Sequence, residues 1–318
     1  MNSNIPITLG PTNFEEKLVI YLNAFAKEKN PIHPRVQCCG KSRGFFCEQC
    51  QQLLIPSDQW PETILNGNLN LPFDLDIILS DRKRSSSGLH AVVLLKASED
   101  CRNEQKLKEE TVQQGYVEGK EYHSTMLYDT NDGDEIPSYH QDDDTFFLFP
   151  SKDSVPLSSV ASKIKRLIVL DCKWTKTVTQ NLPQLQTIQH VHLDGQFVPK
   201  ESHYWRWHNA GQGMCSTVEA IYFAALQVAT EKKLCNQEVD NLIHIMWLFA
   251  IQRASTIETA KREGKPDPFS LEGKERQRNL RRTIKGSEKH LKDIENGKRL
   301  KKIHHESKKA AKKQDEKI

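Results

Sequence analysis

The chain has 318 residues, 37% of them hydrophobic and 27% charged, and a formal net charge of +3. That length allows one sizeable core with appendages, and no apolar run approaches the roughly 18 residues of a membrane span. The longest, Leu242 to Ile251, is broken by His244, and no basic stretch followed by an apolar core opens the chain, so neither a span nor a secretory signal is expected.

The small net charge hides an asymmetry. Residues 261–318 hold 20 Lys+Arg against 10 Asp+Glu, which leaves 25 against 32 for residues 1–260. A mildly acidic body therefore carries a basic tail without a sustained apolar stripe, a composition that suits nonspecific phosphate contact. The cluster Lys298-Arg299-Leu300-Lys301-Lys302 reads as a nuclear address.

In chain order, Thr12-Asn13-Phe14-Glu15 opens a helix with Phe14, Leu18, Leu22 and Phe25 on its inner face. Four of the eight cysteines then crowd into Cys38–Cys50, while the others are scattered, which points to reduced thiols with one metal site. Cys47-Glu48-Gln49-Cys50 supplies half of a zinc-ribbon pattern, and Gly40-Lys41-Ser42-Arg43-Gly44 suits a knuckle. Cys39, Cys47 and Cys50 are the expected ligands, with Cys38 or His33 as the fourth; a metal-free loop of thiols is the alternative.

Strands are expected at 74–80, 89–95, 145–149, 166–170, 187–193 and 202–208, and helices at 216–231 and 237–256. Between them, residues 96–144 hold 14 acids against 5 bases. They are expected as an acidic insertion outside the packed core, with room for a short helix. The aliphatic run Leu167-Ile168-Val169-Leu170 reads as a strand buried on both faces, and it ends in Asp171-Cys172-Lys173-Trp174. In open α/β sheets ligands bind beyond the carboxyl ends of strands, so Asp171 and Trp174 become candidate site residues. A Gly-rich loop, Asn209 to Gly213, then feeds Ser216-Thr217-Val218-Glu219, a capping box at a helix start whose free N–H groups suit an anion. Arg206 is placed opposite Trp205 and Trp207 by strand alternation, which assigns the tryptophans to the core.

This order of landmarks resembles the DTW-domain family of tRNA-uridine aminocarboxypropyltransferases, over roughly residues 35–95 and 145–256. The matching segments are Leu170-Asp171-Cys172-Lys173-Trp174 and Ser216-Thr217-Val218-Glu219-Ala220-Ile221, with Phe147-Leu148-Phe149-Pro150-Ser151 as the preceding strand. Tyr204-Trp205-Arg206 and Asp240-Asn241-Leu242-Ile243 bring it nearest to the first of two eukaryotic branches. The family motif is Asp-x-Thr-Trp, and Lys173 replaces its threonine; relatives also have a cysteine where this chain has Val36.

The resemblance implies a SPOUT-like layered α/β core, knotted near its C-terminal part. A lead-in (1–34), a cysteine-rich element (35–56), the transferase domain (57–256) and the basic tail (257–318) would follow one another. It implies transfer of the 3-amino-3-carboxypropyl group of S-adenosylmethionine to N3 of a tRNA D-loop uridine, with release of methylthioadenosine. Asp171 and Trp174 would be catalytic. Leu170, Asp171, Trp174, Ser216, Thr217 and Glu219 would bind the cofactor, Arg206 the substrate, and the cysteines zinc. The expected partner is tRNA, which the acidic insertion 96–144 would repel, with no membrane and no obligate protein partner. The expected compartment is the nucleus, with the cytoplasm second. A noncatalytic RNA-binding or scaffold protein, and the same transfer on rRNA, are the alternatives.

Overall fold

The computed structural model describes residues 14–26, 34–110, 122–139, 144–172, 182–204, 214–280 and 283. It divides into two units, Met1–Tyr204 with His208–Thr259, and Trp205–Trp207 with Ala260–Ile318. The first is a mixed α/β body. In the second, a turn at Asp267–Ser270 leads into a helix over residues 271–280, with Ser270 Oγ accepting the Gly273 N–H at 3.0 Å.

Two short hairpins come first after helix α1 (Phe14–Ala26): β1 (Val36–Cys38) with β2 (Lys41–Arg43), and β3 (Phe46–Cys47) with β4 (Gln52–Leu53). A short helix α2 (Glu62–Leu65) leads to the main sheet. Its six strands are β5 (Asp74–Leu79), β6 (Thr125–Asp129), β7 (Thr145–Leu148), β8 (Val155–Pro156), β9 (Arg166–Asp171) and β10 (Gln189–His192). They lie in the order β6-β5-β9-β7-β10-β8, and every neighbouring pair is parallel. Helix α3 (Gly88–Glu110) connects β5 to β6, and α4 (Thr217–Glu231), α5 (Asn236–Asn241) and α6 (Trp247–Arg262) follow the sheet.

The two faces of the sheet are covered differently. Side chains alternate along a strand. Leu75, Ile77 and Leu79 therefore share a face with their register partners Leu167, Val169 and Asp171, and α3 and α4 lie on this side. On the other face Ile78, Phe147 and Ile168 pack against Leu185 and Ile188, with Ile136 and Tyr139 closing the cluster. The buried β5 and β9 explain the near-continuous apolar runs in the sequence. Among the described residues no helix is long and apolar enough to cross a membrane.

Four expectations need correction. Residues 89–95 are the first turns of α3, not a strand. Leu89, Ala91, Val93 and Leu94 are all fully buried, so apolar residues surround the helix axis, and periodicity does not separate such a helix from a buried strand. The described parts of 96–144 are not outside the core: they contribute the rest of α3 and strand β6, which pairs with β5 along its whole length. The acids of this segment flank β6, whose own centre is the apolar Met126-Leu127-Tyr128; the strand lies at the sheet edge, where Met126 is half exposed.

The stretch 237–256 is not one helix. A 3-10 segment, Leu242–Met246, separates α5 from α6, and three residues per turn stack Leu242 on Ile245 and Ile243 on Met246, all buried. Residues 202–204 do not join the sheet; they are tied to α4, as described below, and 205–208 lie outside the described residues. So does any path for the expected knot through residues 173–181 and 205–213.

Candidate active site

The site is built where the central strands end. Asp171 closes β9, and alternation turns its side chain toward the helical face. Its Oδ2 accepts the Ser86 hydroxyl at 2.5 Å and the Gly88 N–H at 2.8 Å, and the Thr217 side chain bonds it as well. Ser86 Oγ in turn accepts the Leu89 N–H at 3.1 Å. One carboxylate thus caps α3 and touches the first residue of α4, and two partly positive helix ends converge on it. Burial pushes the Asp171 carboxyl above its ordinary value, against the pull of Ser86, Gly88 and Thr217.

Gly88 is required by this approach. A Cβ there would lie 2.7 Å from Asp171 Oδ2 and 3.2 Å from Thr217 Cγ2.

At the start of α4 the capping box of Ser216 and Glu219 closes as its spacing predicts. Glu219 does more than cap. It is fully buried; Oε1 accepts the His203 N–H, and Oε2 accepts Ser202 Oγ, Ser216 N and Ser216 Oγ, each at 2.7 Å. The acid latches residues 202–203 to the helix start, which is why they leave the sheet. Burial holds the His203 imidazole below its usual range, partly offset by Glu219.

The loop between β5 and α3, Ser80 to Ser87, forms the remaining wall. Ser80 N–H donates to the Asp171 carbonyl at 2.9 Å. Tyr204 Oη donates to the Ser85 carbonyl at 3.2 Å, and Asn131 Nδ2 to the Asp81 carbonyl at 3.0 Å. Lys83 reaches Asp132 at 2.5 Å and the buried Asp129 at 3.1 Å. The hydrogen bond to Asp132 holds the Lys83 ammonium above its usual range. Burial alone would raise Asp129, but Lys83 and Asn131 outweigh it and leave that carboxyl low. The sequence reading missed this loop because it took 89–95 for a strand. A strand running into Ser85-Ser86-Ser87-Gly88 at a helix start was the available signal.

Asp171 and Thr217 are brought together, and so are Ser216 and Glu219. Leu170 is half-buried on the opposite face, beside the Ile78–Phe147 cluster. Cys172 is half-buried, and burial, Asp171 and Asp81 push its thiol up to about 12. Trp174, Lys173 and Arg206 lie outside the described residues.

The cysteines form a second centre. The sulfurs of Cys38, Cys39, Cys47 and Cys50 all lie within 4.8 Å of one another. Cys39 and Gly40 both have positive φ, +50° and +70°, which folds the β1–β2 turn tightly enough to turn adjacent cysteines toward one point. Four thiolates at ~2.3 Å from zinc stand about 3.8 Å apart; Cys38 and Cys50 are at 3.7 Å and Cys39 and Cys50 at 2.8 Å, so this donor set could hold zinc after a small opening. Burial would raise the Cys47 thiol, yet N–H groups of Cys50 and Gln49 bring it down to about 7. His33, the alternative ligand, lies outside the described residues.

A parallel α/β sheet with its polar groups gathered at the carboxyl ends of the central strands defines an enzyme-like architecture. The DTW domain matches residues 44–253, about two-thirds of the chain, and spans Cys47, Cys50, Asp171 and Glu219. The chain belongs to the DTW-domain family, which is associated with tRNA-uridine aminocarboxypropyl transfer. No curated protein and no solved structure matches it.

Proposed function

We propose that this protein transfers the 3-amino-3-carboxypropyl group of S-adenosylmethionine to N3 of a tRNA D-loop uridine. The observation that carries the reading is Asp171, inside the DTW match, at the end of a central strand where two helix N-termini meet. When bound, the cofactor supplies a sulfonium-activated methylene carbon; the protein must hold that carbon, rather than the methyl, in line with the nucleophile.

The described residues suit such positioning. Both oxygens of Glu219, and Oδ2 of Asp171, are hydrogen-bonded by the chain's own groups. They act as positioning residues that fix the starts of α3 and α4. Half-buried Ser216 and Thr217 offer the contact surface; Leu170, whose side chain faces the other way, could contribute only its backbone, and Trp174 and Arg206 are assigned by the likeness to the family alone. Uridine N3 carries a proton that must leave, and the raised Asp171 carboxyl assists as a nearby acceptor or through its charge. The SPOUT-like knot and the likeness to the first eukaryotic branch belong to the same proposal, as does a nuclear address in Lys298–Lys302.

Incubation with tRNA and cofactor labelled in the carboxypropyl arm tests the reaction. Label in tRNA with release of methylthioadenosine is expected. Label delivered only from the methyl group makes the protein a methyltransferase, and no label from either leaves an RNA-binding protein. The same assay with rRNA fragments tests that acceptor.

The cysteine centre we assign to zinc, bound by Cys38, Cys39, Cys47 and Cys50, as a structural site that stabilises the two hairpins. Elemental analysis of the purified protein should find one equivalent, lost in Cys47→Ser.

A further inference from the structure

We propose that Arg82 and Arg84 form a clamp for backbone phosphates of the RNA acceptor, beside the Asp171 site. The inference rests on the reading that this protein acts on RNA. Three consecutive cations, Arg82-Lys83-Arg84, lie in the loop between β5 and α3, and the structure treats them differently. Lys83 is drawn inward and neutralised by Asp129 and Asp132. Arg82 and Arg84 are exposed, and no hydrogen bond or ion pair of either guanidinium is seen among the described residues.

The loop that displays them is held at many points. Besides the ties to Asp171, Tyr204 and Asn131, it contains its own 3-10 turn, in which Ser85 N–H and Oγ both donate to the Arg82 carbonyl, at 2.8 and 2.9 Å. Two cations on a fixed loop lose little entropy on binding an anion, and the planar guanidinium fork matches a phosphate. Arg84 is only two residues from Ser86, whose hydroxyl bonds Asp171. A phosphate held there would set the acceptor strand against the carboxyl end of the sheet.

The surrounding charges give the clamp a direction. Asp132, Asp134 and Glu135 occupy the turn after β6, on the side to which Lys83 is drawn, and would repel an RNA strand; Asp81 lies within the loop, next to Arg82, and has partners of its own. The strand is therefore steered away from the β6 turn. The body as a whole carries more acids than bases (residues 1–260), so two exposed arginines with no guanidinium partner among the described residues stand against its general charge.

The test uses full-length protein, fluorescently labelled tRNA and a salt series, with Arg82→Gln, Arg84→Gln and the double variant. Lys163→Gln serves as a control, since Lys163 is an exposed cation just before β9, at the opposite end of the sheet. Each arginine variant should bind tRNA roughly threefold to tenfold more weakly. The double variant should lower the slope of log affinity against log salt by about 1.4–1.8, with affinity for S-adenosylmethionine unchanged.

A double variant with wild-type affinity and slope, or a loss no larger than that of Lys163→Gln, overturns the clamp. So does a wild-type protein that does not bind tRNA. A wild-type protein that binds tRNA through the arginines but transfers no label overturns the proposed reaction instead, and leaves the clamp standing.

Discussion

The two ends of the central strands each bury a carboxylate, by different means. At the amino end Asp76, 1% exposed, faces a full positive charge: Arg166 Nη1 donates to it at 2.8 Å and reaches Asp74 through Nη2 at 3.1 Å. Tyr139 Oη adds a hydrogen bond at 2.9 Å. At the carboxyl end Asp171, 7% exposed, is met by the side chains of Ser86 and Thr217 and by a backbone N–H at a helix start; among the described residues none of its hydrogen-bond partners is a cation. The first arrangement is a closed ion pair, which fixes the sheet. The second stabilises negative charge with oriented dipoles and leaves the region open to the electrostatic demands of a reaction.

The contrast breaks most sharply at Arg166. Replacing it with methionine leaves Asp76 buried without its counter-charge, which costs about 3–5 kcal/mol and should appear in urea denaturation at neutral pH. The sign of the pH dependence follows from the direction of the shift. Burial already raises the Asp76 carboxyl, and Arg166 partly opposes it; without Arg166 it rises further. A raised acid costs stability above its folded pKa, and the cost is relieved as pH falls and the proton binds. The deficit of Arg166→Met should therefore shrink on acidification. A deficit constant with pH would mean that the pair contributes packing alone.

Asp171→Asn should cost less stability, about 1–3 kcal/mol, because an amide can still accept one of the hydrogen bonds. Its effect on transfer should be far larger: turnover lost in a protein that still folds. Near-wild-type turnover would remove the charge of Asp171 from the mechanism and make the carboxyl end as purely structural as the amino end. Gly88→Ala approaches the same joint from the other side. Its methyl would meet Asp171 and Thr217, and it should impair transfer while every ionisable group remains.

Glu219→Gln should cost about 0.5–2 kcal/mol. An amide nitrogen would face groups that already donate, and the latch on Ser202 and His203 would loosen. Thermal denaturation together with cofactor titration separates capping from binding. A normal dissociation constant in a folded variant confines Glu219 to the cap.

Much of this frame was legible in the sequence, and the reasons are local. The run Leu167–Leu170 announces a buried strand, and Ser216-x-x-Glu219 announces a helix start, because each depends on residues a few positions apart. The four cysteines were legible as a cluster for the same reason. What stayed hidden depends on distance or on symmetry of burial. Asp171 meets Ser86 from 85 positions away, and Glu219 reaches back to Ser202, so neither partnership leaves a local trace. Strand β6 has only Met126-Leu127-Tyr128 as its apolar centre, in a segment rich in acids, and composition taken over 96–144 assigned it to an insertion. Helix α3 is apolar on all sides at its start, which erases the period that would have revealed it and, with it, the loop that carries Arg82 and Arg84.

The smallest predicted effect tests whether the carboxyl end is an electrostatic device at all. Lys83 is the one loop cation that bonds down. Its partner Asp132 is 58% exposed, and buried Asp129 keeps the Asn131 N–H and Nδ2 hydrogen bonds when Lys83 is lost, so removing the bridge costs about 1 kcal/mol. Lys83→Met should lower stability by that amount at low ionic strength, and the difference should fade in high salt, where exposed charges are screened. The deficit of Arg166→Met should persist under the same salt, since Asp76 lies out of reach of screening ions. Equal salt sensitivity in the two variants would mean that the Lys83 and Arg166 bridges hold their charges in the same way.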